Sequence, residues 1–409
     1  MPRVKRTEIC AADEVQAFHL INRCVRRTYL CGKDRRSGKD YSHRKQWIRE
    51  RLEELAGIFG IDVPGFAVMS NHLHVVVRTR PDVVKEWTND EVALRWWRLF
   101  PQRRNEDHSP AEPTEFELNA IRNDTAGMKE KRIRLADISW FMRCLAEPIA
   151  RRGNKDDDVT GRFWEGRFKA QPLLDETALA ACMAYVDLNP IRAGIAATLE
   201  ESDFTSARDR IADRQLAEEI AKSEESPSSG LTATFSPEAG EKGQGMLQEA
   251  PSCGLSAGVG NSTCRRSEDS SPGAGEKRLG NDAQDQRIEH GPNAGWLSPM
   301  GVDPPREKAP VRRASNRGIL PMSLDQYLRL LDWTGRQLRR PVDQRGAGKA
   351  GRIPADCAPI LDRLECSAET WLDFVQNFRK RFRVEAGLAK SLKTFRTIRQ
   401  SRRTSAAAT

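Results

Sequence analysis

The spacing of apolar residues changes period several times along this chain. Phe18-His-Leu-Ile-Asn-Arg-Cys-Val reads as a strand. From about His43 to Phe59, Ile48, Leu52, Leu55 and Phe59 recur at helical spacing, with Arg and Glu on the other face, and Gly60 ends that helix. Ile61 to Met69 predicts a second strand, Ser70-Asn71 a tight connection, and His72 to Arg78 a third strand. Asn89-Asp-Glu-Val-Ala-Leu-Arg-Trp-Trp-Arg-Leu-Phe predicts a helix capped by Asn89 or Asp90, and the polar stretch after it an inserted loop. A helix from about Asp137 to Arg152 follows, then Gly153-Asn-Lys-Asp-Asp-Asp as a turn. Phe163 to Leu174 contains the next strand. Asp175 caps a helix over about Glu176 to Leu188, which Asn189-Pro190 ends, because a residue before proline avoids the helical region.

Strand, helix and hairpin in this order predict an α+β fold: a central antiparallel sheet with helices packed on it. From about residue 214 to 312 the texture changes to Ser, Gly, Pro, Glu and Gln. Segments such as Ser226-Pro-Ser-Ser-Gly bury too little apolar surface to offset chain entropy, which predicts a disordered linker. Helical periodicity returns afterwards: Leu324, Tyr327, Leu328 and Leu331 share one face, and Trp371, Leu372, Val375 and Phe378 another. The expected organisation is a catalytic domain over 1–213 with an inserted segment at about 80–136, a linker over 214–312, and a mainly helical module over 313–409.

Composition sharpens this division. The chain carries 67 Lys+Arg against 58 Asp+Glu, a net charge of +9. From Val311 onward there are 21 Lys/Arg and 9 Asp/Glu, an excess of +12, so the remainder sums to −3. A basic module joined to a near-neutral one predicts an anionic partner, most simply nucleic acid. Nine scattered cysteines without a C-x-x-C pair read as free thiols in a reducing compartment. No apolar run is long enough for a membrane span, and the basic N-terminus has no apolar signal stretch, so the expected location is cytoplasmic.

Two constellations carry chemistry. In Asn71-His-Leu-His-Val-Val-Val the strand alternation points His72 and His74 to one face and Leu73, Val75 and Val77 to the other. Two imidazoles side by side can bind one divalent ion; the alternative is a pair of partly buried strand histidines. In Ala184-Tyr-Val-Asp-Leu-Asn-Pro-Ile-Arg-Ala-Gly, Tyr185 and Asn189 lie four apart at a helix end, on nearly the same face. A tyrosine can attack phosphorus covalently, but its hydroxyl ionises near pH 10, so it needs a nearby charge. Asn189 offers a neutral oxygen ligand. The alternative packs Tyr185 in the core and uses Asn189 as a cap before Pro190.

Taken together, Asn71-His-Leu-His, Gly161-Arg-Phe-Trp-Glu-Gly-Arg-Phe-Lys and Tyr185-Val-Asp-Leu-Asn-Pro-Ile-Arg-Ala-Gly resemble the REP-associated tyrosine transposases of the His-hydrophobic-His nuclease superfamily. The resemblance spans roughly residues 10 to 210. It implies a ferredoxin-like, palm-like core, with the tyrosine helix over a metal site. His72, His74 and Asn189 would ligate Mg2+ or Mn2+, and Tyr185 would form a 5′-phosphotyrosine link, freeing a 3′-hydroxyl. Substrates would be single-stranded or hairpin DNA, handled by a monomer or homodimer. Arg162, Arg167 and Lys169, flanking the fourth strand, would hold backbone phosphates. Ser70 stands where many relatives have proline, and the stretch from His74 to Gly161 is longer than in compact relatives. Other readings are a DNA-binding protein without cleavage activity and a replication initiator or relaxase.

Overall fold

The computed structural model describes residues 10–25, 30–34, 38–106, 109–225, 295–301, 313–339 and 358–407. Four strands form one antiparallel sheet: β1 (Ala17–Arg23), β2 (Ile61–Val68), β3 (His72–Thr79) and β4 (Lys169–Leu173), in the order β2-β3-β1-β4. The fold is therefore the α+β class that the alternation predicts. Both edge strands contain a proline, Pro64 in β2 and Pro172 in β4, where a missing N–H does least harm to the ladder. The two central strands carry the histidines. The register sets Arg23 opposite His72, Ile21 opposite His74, and His19 opposite Val76.

Each face of the sheet is covered. Phe18, Leu20, Leu73, Val75 and Val77 point into a core shared with α1 (His43–Ile58) and the helix Ile138–Asp156. On α1, Ile48, Leu52 and Leu55 are buried as the periodicity requires, but so are two arginines. Arg44 meets Asp156 (Nε–Oδ2 2.8 Å) and Arg49 meets Asp209 (2.9 Å), which satisfies both charges inside the fold. Gly60 follows α1 for steric reasons: a Cβ there would stand 2.1 Å from Val84 Cγ2 and 3.2 Å from the Arg80 carbonyl.

The helix expected from Asn89 is present, whereas the polar stretch after it, expected as an inserted loop, is partly helical. Between β3 and Ile138 lie α2 (Pro81–Glu86), α3 (Asn89–Leu99), α4 (Glu115–Arg122) and α5 (Thr125–Leu135). The cap of α3 is Thr88, not Asn89 or Asp90: Thr88 and Glu91 form a reciprocal capping box, and Thr114 with Glu117 repeats the device on α4. Asp124 caps α5. Next comes α6 (Ile138–Asp156), which runs through the segment expected to turn at Gly153; a Cβ at that glycine would overlap the Phe163 ring. After β4 come α7 (Glu176–Asp187), capped by Asp175 as expected, the single turn α8 (Asn189–Arg192), and α9 (Ser206–Glu225).

The domain limits fall elsewhere than composition suggests. The boundary expected at 213 lies inside α9. Most of the expected linker, 226–294 and 302–312, lies outside the described residues. Within its bounds, however, Trp296 is buried against Phe66, with ring centroids 5.2 Å apart, and Ser298 N donates to Val63 O at 3.1 Å. The C-terminal helices are α10 (Leu324–Arg339), α11 (Ala358–Arg363), α12 (Ala368–Arg381) and α13 (Ala389–Ala407). They belong to the same compact unit as residues 1–221. Tyr327, Leu331, Trp371, Phe374 and Phe378 share one apolar core with α7 and with Val76 on the second face of the sheet. No helix among the described residues is long and apolar enough to cross a membrane.

Candidate active site

The second face of β1 and β3 brings three imidazoles together beneath α7. His74 and His19 are buried and His72 is half-buried. The rings of His72 and His74 lie 4.7 Å apart, as strand alternation predicts. His19 comes from the neighbouring strand, with its Nε2 2.8 Å from His74 Nδ1. Burial pushes His19 and His72 down to about 4, and His74 well below its ordinary value. The Arg379 guanidinium pushes in the same direction on all three, and Arg23 does so on His72 and His74. All three rings are therefore neutral at pH 7 and carry one proton each.

A chain of hydrogen bonds decides where those protons sit. Gln171 Nε2 donates to the Phe382 carbonyl, which can only accept. Gln171 Oε1 must then accept from His19 Nδ1 (3.3 Å). His19 Nε2 is left as the acceptor for His74 Nδ1, and His74 Nε2 keeps a bare lone pair. That nitrogen is buried and has no hydrogen-bond partner. A buried, unpartnered imidazole lone pair beside a second imidazole is an arrangement that can donate to a divalent metal. His72 Nδ1 is engaged by the Asn71 side-chain oxygen. Among the described residues no group of three or more His, Cys, Asp or Glu side chains is arranged to hold a metal ion.

Tyr185 comes from α7. Every residue of that helix after Glu176 is buried, and Ala178, Ala180, Ala181 and Ala184 allow close approach on several sides. The Tyr185 ring meets His74 edge-on at 5.7 Å and His19 at 6.0 Å, and stacks on Phe378 of α12 at 5.4 Å and 26°. The residue is only 7% exposed, and its hydroxyl makes no hydrogen bond among the described residues. Burial raises its pKa, while Arg192 and Arg379 oppose that rise. The Arg192 guanidinium lies 5.0 Å from the ring centroid. The end of α7 is locked by Asp187, whose buried carboxylate accepts from Ser206 Oγ (2.5 Å), Ala207 N (3.0 Å) and Tyr327 OH (2.7 Å).

No family model and no curated protein matches the chain. One similar solved structure is a REP-associated tyrosine transposase bound to a REP hairpin, with a TM-score of 0.30 and 11% identity over 52% of this chain and 86% of that one. The overlay is slight, and the side chains themselves carry the functional reading.

The expected residues are thus partly united. His72, His74 and Tyr185 share one site. Asn189 sits one turn beyond the tyrosine with its Nδ2 buried and unpartnered, but among the described residues no hydrogen bond joins it to the histidines. Arg162, Arg167 and Lys169 are exposed. Their segment runs beside the end of β1, where Glu165 N donates to Arg23 O (2.8 Å), at the end of the sheet that holds His72. Phe163 is core and Trp164 is half-buried, its indole donating to the Ala146 carbonyl at 2.8 Å. Sequence reasoning missed His19, Gln171, Phe378 and Arg379. Only His19 left a local signal, a lone polar side chain alternating with Phe18 and Leu20.

Proposed function

We propose that this protein is a DNA-cleaving and rejoining enzyme of the transposase type that uses Tyr185 as a covalent nucleophile. The observation that carries the reading is one juxtaposition: a tyrosine hydroxyl with no hydrogen bond among the described residues, its ring against His74, whose buried Nε2 likewise has none there. The resemblance of three motifs to REP-associated tyrosine transposases points the same way, and single-stranded or hairpin DNA is the proposed substrate.

The step balances without an external energy source. Tyr185 Oη attacks phosphorus, the bond to the 3′ oxygen breaks, and the phenol proton is released as the 3′-hydroxyl takes one up. A 5′-phosphotyrosine remains, and attack by a second 3′-hydroxyl reverses the step and joins strands. His72 and His74 would hold Mg2+ or Mn2+, with the Asn189 amide as the proposed third ligand; a bound ion supplies charge that polarises the phosphate oxygens. His19 and Gln171 keep His74 in the tautomer that leaves Nε2 free. Arg162, Arg167 and Lys169 offer exposed cations to flanking phosphates.

The test is incubation of the full chain with labelled single-stranded hairpin DNA and Mn2+, followed by a denaturing gel. A covalent protein–DNA adduct is expected, absent in Tyr185→Phe and lost in the double variant His72→Ala with His74→Ala. Cleavage that persists in Tyr185→Phe overturns the tyrosine mechanism. An adduct indifferent to the double variant overturns the metal assignment. Tight binding of hairpin DNA with no adduct in the wild type favours a non-catalytic DNA-binding role.

A further inference from the structure

The C-terminal helix α12 does more than cover α7. Phe378 stacks on the Tyr185 ring and meets His19 edge-on at 5.9 Å. Arg192, the cation over that tyrosine ring, donates to the α12 carbonyls of Val375 (3.3 Å) and Gln376 (2.8 Å), so it is held in place by the same helix. The next residue along, Arg379, differs from its neighbours. Arg381 pairs with Asp373 and lies over Phe374 at 4.8 Å. Arg379 is exposed and makes no ion pair or hydrogen bond among the described residues. It follows directly on Phe378, the residue that stacks on Tyr185 and meets His19, so the turn of α12 that carries it is the one packed against the cluster.

We propose that Arg379 is a phosphate-holding residue of this site, gripping the phosphodiester that Tyr185 attacks or the one next to it. The helix that packs against the tyrosine would thereby complete the active centre, from a part of the chain outside the three motifs. The chemistry favours a phosphate. An unpaired guanidinium keeps all five N–H donors, in a fork that matches two phosphate oxygens. The cluster beneath this helix is made of neutral imidazoles and a neutral phenol, with Arg192 as a further cation over the tyrosine, and Arg379 has no carboxylate partner among the described residues. An anion is what this arrangement can take. The inference rests on the tyrosine-nuclease reading for the identity of the phosphate, while the anion contact itself does not.

Two measurements on the full chain separate these. One is the rate of adduct formation with single-stranded hairpin DNA; the other is binding of a single-stranded oligonucleotide over a salt series, which needs no cleavage. Arg379→Gln is expected to slow adduct formation about 10- to 100-fold, by loss of a charge-assisted contact in the transition state. It should also lower the salt slope of binding by about 0.7, the loss of one phosphate contact to a single strand. Arg379→Lys should recover the salt slope but only part of the rate, because it restores charge without the fork. Lys380→Gln, one residue on and also exposed, is the charge-matched control and should change little. Arg379→Gln equal to wild type in both measurements, or faster in adduct formation, overturns the proposal. If the wild type makes no adduct but Arg379→Gln still reduces binding and slope, the phosphate contact stands and the tyrosine mechanism falls.

Discussion

The proton on His74 is set from a distance of three hydrogen bonds. Phe382 O accepts from Gln171, Gln171 accepts from His19, and His19 accepts from His74, so one backbone carbonyl fixes which His74 nitrogen faces the site. Partners of this kind hold a metal-binding imidazole in orientation and tautomer, and their loss costs about 10- to 100-fold in metal affinity. Gln171→Leu removes both ends of the relay at Gln171 while leaving His72, His74 and Tyr185 intact. Isothermal titration with Mn2+ should then show weaker binding by that factor; unchanged affinity would mean that the relay does not orient His74. This scale also marks how far the sequence reads. His72 and His74 are legible because strand alternation is local, and Tyr185 because its motif is contiguous. His19 and Gln171 join the site only through the neighbours of β1, and Phe378 and Arg379 only through packing across nearly 200 residues. Apart from the alternation of His19 with Phe18 and Leu20, none of these is set by local spacing.

At the scale of elements, period and capping account for most of what was legible. All four strands and helices α1, α3, α6 and α7 follow from apolar spacing. Helices α4 and α5 do not, because few of their residues are buried and the apolar face that reveals a helix is missing; their signal is in the caps, Thr114 with Glu117 and Asp124. The all-round burial of α7 carries a further message: a helix apolar on every side needs a second cover besides the sheet. The tie between α9 and α1 has a pH signature. Burial pushes the Asp209 carboxyl up to about 6, even though Arg49 donates to it at 2.9 Å. The folded state thus binds this proton more tightly than the unfolded chain, whose carboxyl titrates near 4. Its contribution to stability is fully present below about pH 4 and is lost as pH rises through about 6. Asp209→Asn cannot lose a proton. Its stability relative to wild type should therefore rise by about 3 kcal/mol between pH 4 and 7, as read by urea unfolding at each pH. A difference that stays flat over that range would show that Asp209 titrates normally.

At the scale of the molecule, charge and packing divide the chain differently. The charge count isolates a basic tail from Val311 onward and suggests an appendage that recruits DNA. Packing joins that tail to the sheet: Leu173 pairs with Ala386, Leu174 N donates to Ala386 O at 2.9 Å, and α12 lies on α7. Composition cannot reveal this, since it measures what a segment contains and not what its apolar face meets. The consequence is cooperativity. Trp371 is fully buried and its indole donates to Thr334 Oγ1 at 2.9 Å, linking α12 to α10 within the core that also holds Val76 of β3. Trp371→Ala leaves a cavity in that shared core and should cost about 3–5 kcal/mol. If the core is one, the loss reaches the sheet, and the slowest-exchanging amides of β1 and β3 lose protection together with those of α12. If the tail were an independent domain, α12 would melt alone at lower temperature while the strands kept wild-type protection. Hydrogen exchange resolved by element distinguishes the two, and the first outcome also means that any DNA-binding face on the C-terminal helices is rigidly registered to Tyr185.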